Sequence, residues 1–115
     1  MHRPLDGFRA LVTGASSGIG KAMAQHFAAA GAAVLVNYHS NAEPAEALVR
    51  EIENQGGRAV AAKGDVSSPD DCTALFDTIT EAFGGVDILV ANAGVQADAL
   101  IGDMTLEQWK KVIGV

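Results

Sequence analysis

The sequence predicts an α/β fold in which helices cover both faces of a doubly wound parallel sheet. Two observations predict it: apolar strand-like segments alternate with helix-patterned segments, and a glycine-rich turn joins the first strand to the first helix. The right-handed rule for crossovers between parallel strands places about four strands in the order 3-2-1-4. A chain of 115 residues, 49% of them hydrophobic, suits one domain spanning the whole chain.

The first strand is predicted at residues 8–12, and the first helix at residues 20–30. Met23 and Phe27 fall at helical spacing, so we expect them to pack on the sheet. Gly31 is placed to end this helix, since glycine accepts the left-handed conformation common after a last helical turn.

The second strand is predicted at residues 33–37, and Pro44 is expected to open the second helix, because proline suits a first helical turn. A short third strand follows at residues 59–62. Ser68 is then expected to cap the third helix, with Pro69 at its first position. The apolar residues expected in the core from this helix are Cys72, Leu75, Phe76, Ile79 and Phe83.

The fourth strand is predicted at residues 86–91, and Thr105 with Gln108 forms a capping box for a last helix that begins near Leu106. The chain ends at Val115, inside that helix. We therefore expect an incomplete domain in which the fourth strand has an unpaired outer edge.

Composition excludes several classes of protein. The formal net charge of -6 argues against a nucleic-acid-binding surface, which is normally basic. The longest apolar run, residues 27–36, is interrupted by Gly31 and is far shorter than the roughly 20 residues of a membrane span. The single cysteine, Cys72, offers neither a disulfide nor a metal-ligand pattern, and no secretory signal is visible. A cytoplasmic protein without a metal site is expected.

The glycine-rich turn has the pattern Gly14-x-x-x-Gly18-x-Gly20, after a strand and at the start of a helix. Gly14 can adopt backbone angles that other residues avoid, Gly18 lets the main chain approach a pyrophosphate, and Gly20 lets the helix lie close to the strand. The helix N-terminus then directs free N–H groups at the phosphates. A P-loop is excluded, because Lys21 is followed by Ala22 rather than by Ser or Thr. The pattern predicts a dinucleotide site.

Two further motifs follow the third and fourth strands: Gly64-Asp65-Val66 and Asn92-Ala93-Gly94. Together with the glycine turn, they make the whole chain resemble the N-terminal part of the short-chain dehydrogenase/reductase family. The segment 36–40 resembles most the glucose 1-dehydrogenase and 3-oxoacyl-carrier-protein reductase branches. The resemblance implies a Rossmann-type sheet, truncated before the catalytic half, and NAD(P)-dependent oxidoreduction of an alcohol, carbonyl or sugar.

The resemblance also implies which residues bind the cofactor. The glycine turn would hold the pyrophosphate, Asp65 with Val66 would meet the adenine, and the Asn-Ala-Gly segment would lie along the cofactor. Asp65 could instead simply cap its loop. Ala91 departs from the family's usual Asn, which we expect to lower local stability slightly. The cofactor-binding residues are expected to be Thr13, Gly14, Ser16, Ser17, Gly18, Ile19, Gly20, Tyr38, His39, Ser40, Asp65, Val66, Asn92, Ala93 and Gly94.

The choice of cofactor depends on the end of the second strand. A carboxylate there would bind the ribose hydroxyls of NAD and repel the extra phosphate of NADP, but residues 37–40 contain none. Ser40 and a protonated His39 could hydrogen-bond that phosphate, although His39 is equally well interpreted as an exposed loop residue. NADP, or use of both NADP and NAD, is favoured. The missing carboxylate also argues against a methyltransferase with a similar glycine turn.

The family's catalytic residues are an Asn, a Ser and a Tyr-x-x-x-Lys pair, and none of them is present. Tyr38 is the only tyrosine, and Ala42 stands four places after it. We therefore expect no dehydrogenase activity from this chain alone. The resemblance implies a small-molecule substrate and a homo-oligomer for a full-length form. The alternative is a naturally short, non-catalytic module that binds a dinucleotide or a partner.

Overall fold

The computed structural model describes residues 4–15, 18–91 and 98–101. Within them, five strands form one sheet in the order β3-β2-β1-β4-β5. The strands are β1 (Arg9–Val12), β2 (Ala33–Tyr38), β3 (Arg58–Lys63), β4 (Ile88–Ala91) and β5 (Asp98–Ile101). The helices are α1 (Gly18–Ala29), α2 (Ala42–Asn54) and α3 (Pro69–Phe83).

The first four strands are parallel, and their order confirms the predicted 3-2-1-4 arrangement. In register, Val12 of β1 lies beside Val36 of β2 and Val90 of β4. The carboxyl ends of these strands therefore meet along one edge of the sheet.

The outer edge of β4 is paired, which the sequence analysis did not anticipate. β5 runs antiparallel to β4, with Ile88 opposite Ile101 and Ala91 opposite Asp98. The prediction of an unpaired edge is therefore wrong. An open apolar edge strand is indeed unfavourable. In this chain, β5 pairs with β4 and so satisfies the backbone hydrogen-bonding groups along that edge.

The core lies on both faces of the sheet, because successive strand residues point to opposite sides. On one face, Val12, Val34 and Val36 pack with α1 and α2, and Met23 and Phe27 lie partly buried against them, as predicted. On the other face, Leu11, Leu35 and Leu89 pack with α3. The fully or nearly buried side chains of α3 are Cys72, Leu75 and Ile79, whereas Phe76 and Phe83 are only partly buried.

The helix boundaries follow from their caps. Ser68 caps α3 by accepting a hydrogen bond from the N–H of Asp71, and Pro69 follows it, so this prediction is confirmed. Gly84 ends the helix with φ 93°. α2 begins earlier than predicted: Asn41 caps it by accepting from the N–H of Glu43. Pro44 lies within its first turn, where a missing N–H has no helical partner to lose.

No helix in the described ranges has the length and hydropathy that crossing a membrane requires.

Candidate functional site

The candidate site is the sheet edge where β1, β2 and β3 end. Three connecting segments lie there: the turn at 13–15, the residues 39–40 after β2, and the residues 64–66 after β3. β1 also marks the point where the strand order reverses, because β2 lies on one side of it and β4 on the other. Open α/β sheets bind ligands in the crevice at such a reversal.

The glycine turn adopts the conformation that its residue types predict. Gly14 has φ 59° and Gly18 has φ 61°, both in the left-handed region that glycine tolerates best. Among the described residues, a Cβ added to Gly18 would meet no atom within 4 Å, so none of them fills the space there. Gly20 is buried within α1. At Gly18, the helix therefore begins with an exposed residue that has no side chain to cover its backbone.

Thr13 fixes the turn to the neighbouring strand. Its backbone N–H donates to the carbonyl oxygen of Val90 at 3.0 Å, and its hydroxyl donates to the same oxygen at 3.2 Å. The side chain is buried, with 1% of its surface exposed. Thr13 thus joins β1 to β4 at the point where the turn begins.

Asn37 holds two of the three segments together, and the sequence analysis did not include it among the site residues. Its Oδ1 accepts from the N–H of Gly14 at 3.2 Å, and its backbone oxygen accepts from the N–H of Ala15 at 3.0 Å. Its Nδ2 donates to the carbonyl oxygen of Gly64 at 3.2 Å. A buried polar residue at the end of an otherwise apolar strand was the signal that could have identified it.

Asp65 lies half-buried in the loop after β3, with 46% of its side chain exposed. Its Oδ1 accepts hydrogen bonds from the backbone N–H of Ser67 at 2.9 Å and from the Ser67 hydroxyl at 2.7 Å. These bonds hold the pKa of the Asp65 carboxyl below its ordinary value of 3.8, and the nearby His39 acts in the same direction. Asp65 therefore does cap its loop, while its other oxygen, Oδ2, makes none of these bonds to Ser67.

His39 is the neighbour of that second oxygen. Its Nε2 lies 3.6 Å from Oδ2 of Asp65, and the side chains are 74% and 46% exposed, respectively. The structure thus brings together two residues from different loops: Asp65, which the resemblance assigns to the adenine, and His39, which is predicted to contact the 2′-phosphate. Both side chains are exposed enough to be available to a ligand.

The remaining described site residues differ in exposure. Ile19 is 67% exposed at the start of α1, and His39 and Ser40 are exposed after β2. Tyr38 and Val66 are partly buried and pack against the core on opposite faces of the sheet. Five of the predicted site residues lie outside the described ranges: Ser16, Ser17, Asn92, Ala93 and Gly94. The helix predicted from Leu106 also lies outside them.

Comparison with known proteins extends these observations. The profile of a family described as short chain dehydrogenase matches residues 9–115. Among curated proteins, the chain is 44% identical over 115 residues to 3beta-hydroxysteroid dehydrogenase 1 of Eggerthella lenta, covering 100% of this chain and 44% of that protein. It is 42% identical over 116 residues to glucose 1-dehydrogenase 2 of Bacillus subtilis, covering 100% and 45%. It is 46% identical over 104 residues to a 3-oxoacyl-[acyl-carrier-protein] reductase of Synechocystis, covering 90% and 42%.

Solved structures show the same likeness. A short chain dehydrogenase from Burkholderia cenocepacia in complex with NADP is 44% identical, with a TM-score of 0.77 over 97% of this chain and 46% of that one. A 7 alpha-hydroxysteroid dehydrogenase complexed with NADH and 7-oxo glycochenodeoxycholic acid is 46% identical, with a TM-score of 0.76 over 81% and 36%.

The chain spans less than half the length of the curated relatives it matches. Within that span, the order of the parallel strands, the glycine turn and the matched profile agree. The chain belongs to the short-chain dehydrogenase family.

Proposed function

We propose that these residues form the NAD(P)-binding portion of an oxidoreductase that interconverts an alcohol and a carbonyl group. The observation that carries the proposal is the turn after β1, where Gly14 and Gly18 both have positive φ and α1 begins at Gly18. The first N–H groups of a helix lack partners within the helix and carry a partial positive charge. A pyrophosphate at this turn would accept hydrogen bonds from those groups.

The surroundings of the turn suit the rest of a dinucleotide. The exposed His39 and Ser40 would lie near the adenosine ribose, and the half-buried Asp65 would accept a hydrogen bond from the exocyclic amine of adenine. Val66 would border the adenine, and Ile19 offers an exposed apolar surface beside the turn. Ser16, Ser17, Asn92, Ala93 and Gly94 complete the proposed set from the sequence resemblance.

NADP, or use of both cofactors, is the proposed preference. Residues 37–40 contain no carboxylate to repel the 2′-phosphate, and the imidazole of His39 could bind it when protonated. The similar solved structures do not favour one cofactor, since one was determined with NADP and another with NADH.

The catalytic step would need groups beyond these 115 residues, because they contain no Tyr-x-x-x-Lys pair. This chain alone is therefore expected to bind a cofactor without transferring hydride. The similar curated proteins are named for a hydroxysteroid, for glucose and for a 3-oxoacyl carrier protein, so a cyclic or acyl carbonyl compound is the proposed substrate class. A single cysteine, the buried Cys72, which forms no disulfide, agrees with the cytoplasmic location we propose.

A matched pair of glycine variants tests cofactor binding in the full gene product. Gly18→Ala and Gly7→Ala both place a Cβ at positive φ, 61° and 87°, and in both cases the Cβ meets no atom of the described residues within 4 Å. The backbone strain is therefore alike, but only Gly18 belongs to the proposed site. We expect Gly18→Ala to weaken NADPH and NADH binding at least tenfold and Gly7→Ala to leave it unchanged. Equal binding by both variants would contradict the proposal.

The intact mass of the native protein then tests the catalytic part. A species well above the 11.8 kDa of this chain, carrying a Tyr-x-x-x-Lys pair and reducing a carbonyl with NADPH, would support the oxidoreductase. A native species at 11.8 kDa that binds NADPH would instead support a non-catalytic nucleotide-binding module.

A further inference from the structure

The carboxamide of Asn37 lies where three backbone segments converge. Oδ1 accepts from the N–H of Gly14 in the glycine turn at 3.2 Å. Nδ2 lies within hydrogen-bonding distance of the carbonyl oxygens of Gly64 at 3.2 Å, Ala62 at 3.3 Å and Tyr38 at 3.3 Å. Only 2% of the residue is exposed, so water is not the main partner of these groups. One side chain therefore connects the ends of β1, β2 and β3.

The hydrogen-bond partners fix the orientation of the amide. With the oxygen and nitrogen exchanged, the amide nitrogen would face the N–H of Gly14, and the amide oxygen would face the carbonyl oxygens of Ala62 and Gly64. Both contacts would be repulsive. The site thus requires an acceptor on one side and a donor on the other, a combination that Asp cannot supply when ionised and that Ser is too short to span.

From this geometry we propose that Asn37 is a positioning residue of the dinucleotide site, which holds the glycine turn at a fixed separation from the loop after β3. The inference rests on the proposed function, in which the pyrophosphate lies on the turn and the adenine lies beside Asp65. A ligand that bridges two loops binds best when their separation is already set, because no binding energy is then spent on ordering them. The loop after β3 is also held in place by its own hydrogen bond, since the backbone N–H of Asp65 donates to Oδ2 of Asp71 at 2.8 Å.

Two variants of Asn37 separate its donor from its acceptor. Asn37→Asp keeps an acceptor for Gly14 but places a carboxylate against the carbonyl oxygens of Ala62 and Gly64. Asn37→Ser keeps a small hydroxyl that can serve one side only. A matched control is Asp87→Asn, which removes the ion pair with Arg9 at the opposite, amino-terminal edge of the sheet and so also lowers stability without touching the site.

The test measures three properties of the full gene product and its variants: the Kd for NADPH, the midpoint of urea unfolding, and hydrogen exchange of residues 13–15 without nucleotide. We expect both Asn37 variants to bind NADPH at least tenfold more weakly, which corresponds to about 1.4 kcal/mol. Exchange at residues 13–15 should be faster in both. Asp87→Asn should unfold at lower urea yet keep the original Kd and exchange rate. If Asn37→Asp does not fold, the milder Asn37→Ser carries the test.

The possible outcomes distinguish this inference from the proposed function. If the original protein binds NADPH or NADH and the Asn37 variants bind equally well, the positioning role is wrong and the proposed function stands. If Asp87→Asn weakens binding as much as the Asn37 variants do, the effect is general loss of stability, and the positioning role is again wrong. If the original protein binds neither cofactor, both proposals fail.

Discussion

Arg9 and Asp87 form a bidentate ion pair between the beginning of β1 and the residue before β4. Nε of Arg9 lies 2.7 Å from Oδ2 of Asp87, and Nη2 lies 2.9 Å from Oδ1. The backbone is joined as well: the N–H of Arg9 donates to Oδ2 at 2.9 Å, and the N–H of Asp87 donates to the oxygen of Arg9 at 2.8 Å. The pair secures the two central strands at the edge opposite the candidate site.

Replacing Asp87 by Asn should lower stability without changing the shape of the side chain. The amide oxygen can replace only one of the two carboxylate oxygens, its NH2 group then faces an Arg9 donor in place of the other, and the side chain carries no charge. The two side chains are 28% and 23% exposed, so solvent screening reduces the loss to about 1–2 kcal/mol. Urea unfolding at pH 7 measures it. A midpoint unchanged from that of the original protein would show that the ion pair contributes nothing.

The same pair predicts how stability changes in acid. The hydrogen bonds from Arg9 hold the pKa of the Asp87 carboxyl below its ordinary value of 3.8. A lowered pKa in the folded state means that the contribution is complete above the unfolded value and is lost as the pH falls through the folded value. The difference in unfolding free energy between the original protein and Asp87→Asn should therefore be constant from pH 7 to about pH 5 and should shrink below about pH 4. A difference that stays constant to pH 2.5 would contradict this origin.

Gly57, between α2 and β3, should not tolerate a side chain. A Cβ there would lie 2.8 Å from Cγ2 of Ile52 and 3.2 Å from its backbone oxygen. Ile52 is only 2% exposed, so its side chain cannot move away freely. Its backbone oxygen accepts hydrogen bonds at the end of α2 and is fixed as well. Gly57→Ala should therefore destabilise the protein by about 1–3 kcal/mol, measured by urea unfolding.

A double-mutant cycle with Ile52→Ala isolates that clash. Ile52→Ala removes the Cγ2 atom that the new methyl group would meet. The double variant should be more stable than the sum of the single effects predicts, by at least 0.5 kcal/mol as is common for residues in contact. Strict additivity would show that the clash is not the cause of the loss.

Much of this fold is readable from the sequence because its signals are local. Ser68 and Pro69 mark the beginning of α3, as the structure confirms. At α2, Pro44 predicted where the helix begins, but the helix begins at Ala42, two residues earlier. The reason is that the Asn41 side chain accepts a hydrogen bond from the N–H of Glu43 and caps the helix there.

The features that were missed depend on distant parts of the chain. The role of Asn37 depends on Gly14 and Gly64, which are 23 and 27 residues away, and no local pattern reveals that their backbone groups converge on it. β5 is likewise defined by its antiparallel partner β4. At the candidate site, the glycine turn and the loop after β3 were both marked by sequence motifs, whereas the Asn37 hydrogen bonds that join them required the structure.

Ser67 should control the acidity of Asp65. Its hydroxyl and its backbone N–H both donate to Oδ1, and they are the main reason that the pKa of Asp65 lies below the ordinary value. Ser67→Ala removes the hydroxyl bond and should raise the pKa of Asp65 towards 3.8, as followed by NMR titration of the carboxyl carbon. Ser68→Ala is the control, because it removes the α3 cap, worth about 1 kcal/mol, but no bond to the Asp65 carboxylate. An equal response to both variants would contradict the assignment.

His39 should make the preference for NADP depend on pH. A protonated imidazole would attract the 2′-phosphate, which NAD lacks, so the ratio of NADP to NAD affinity should rise as the pH falls from 8 to 6. His39→Gln should make the ratio independent of pH over this range. A ratio that is already flat in the original protein would remove His39 from the 2′-phosphate site and leave it as an exposed loop residue paired with Asp65.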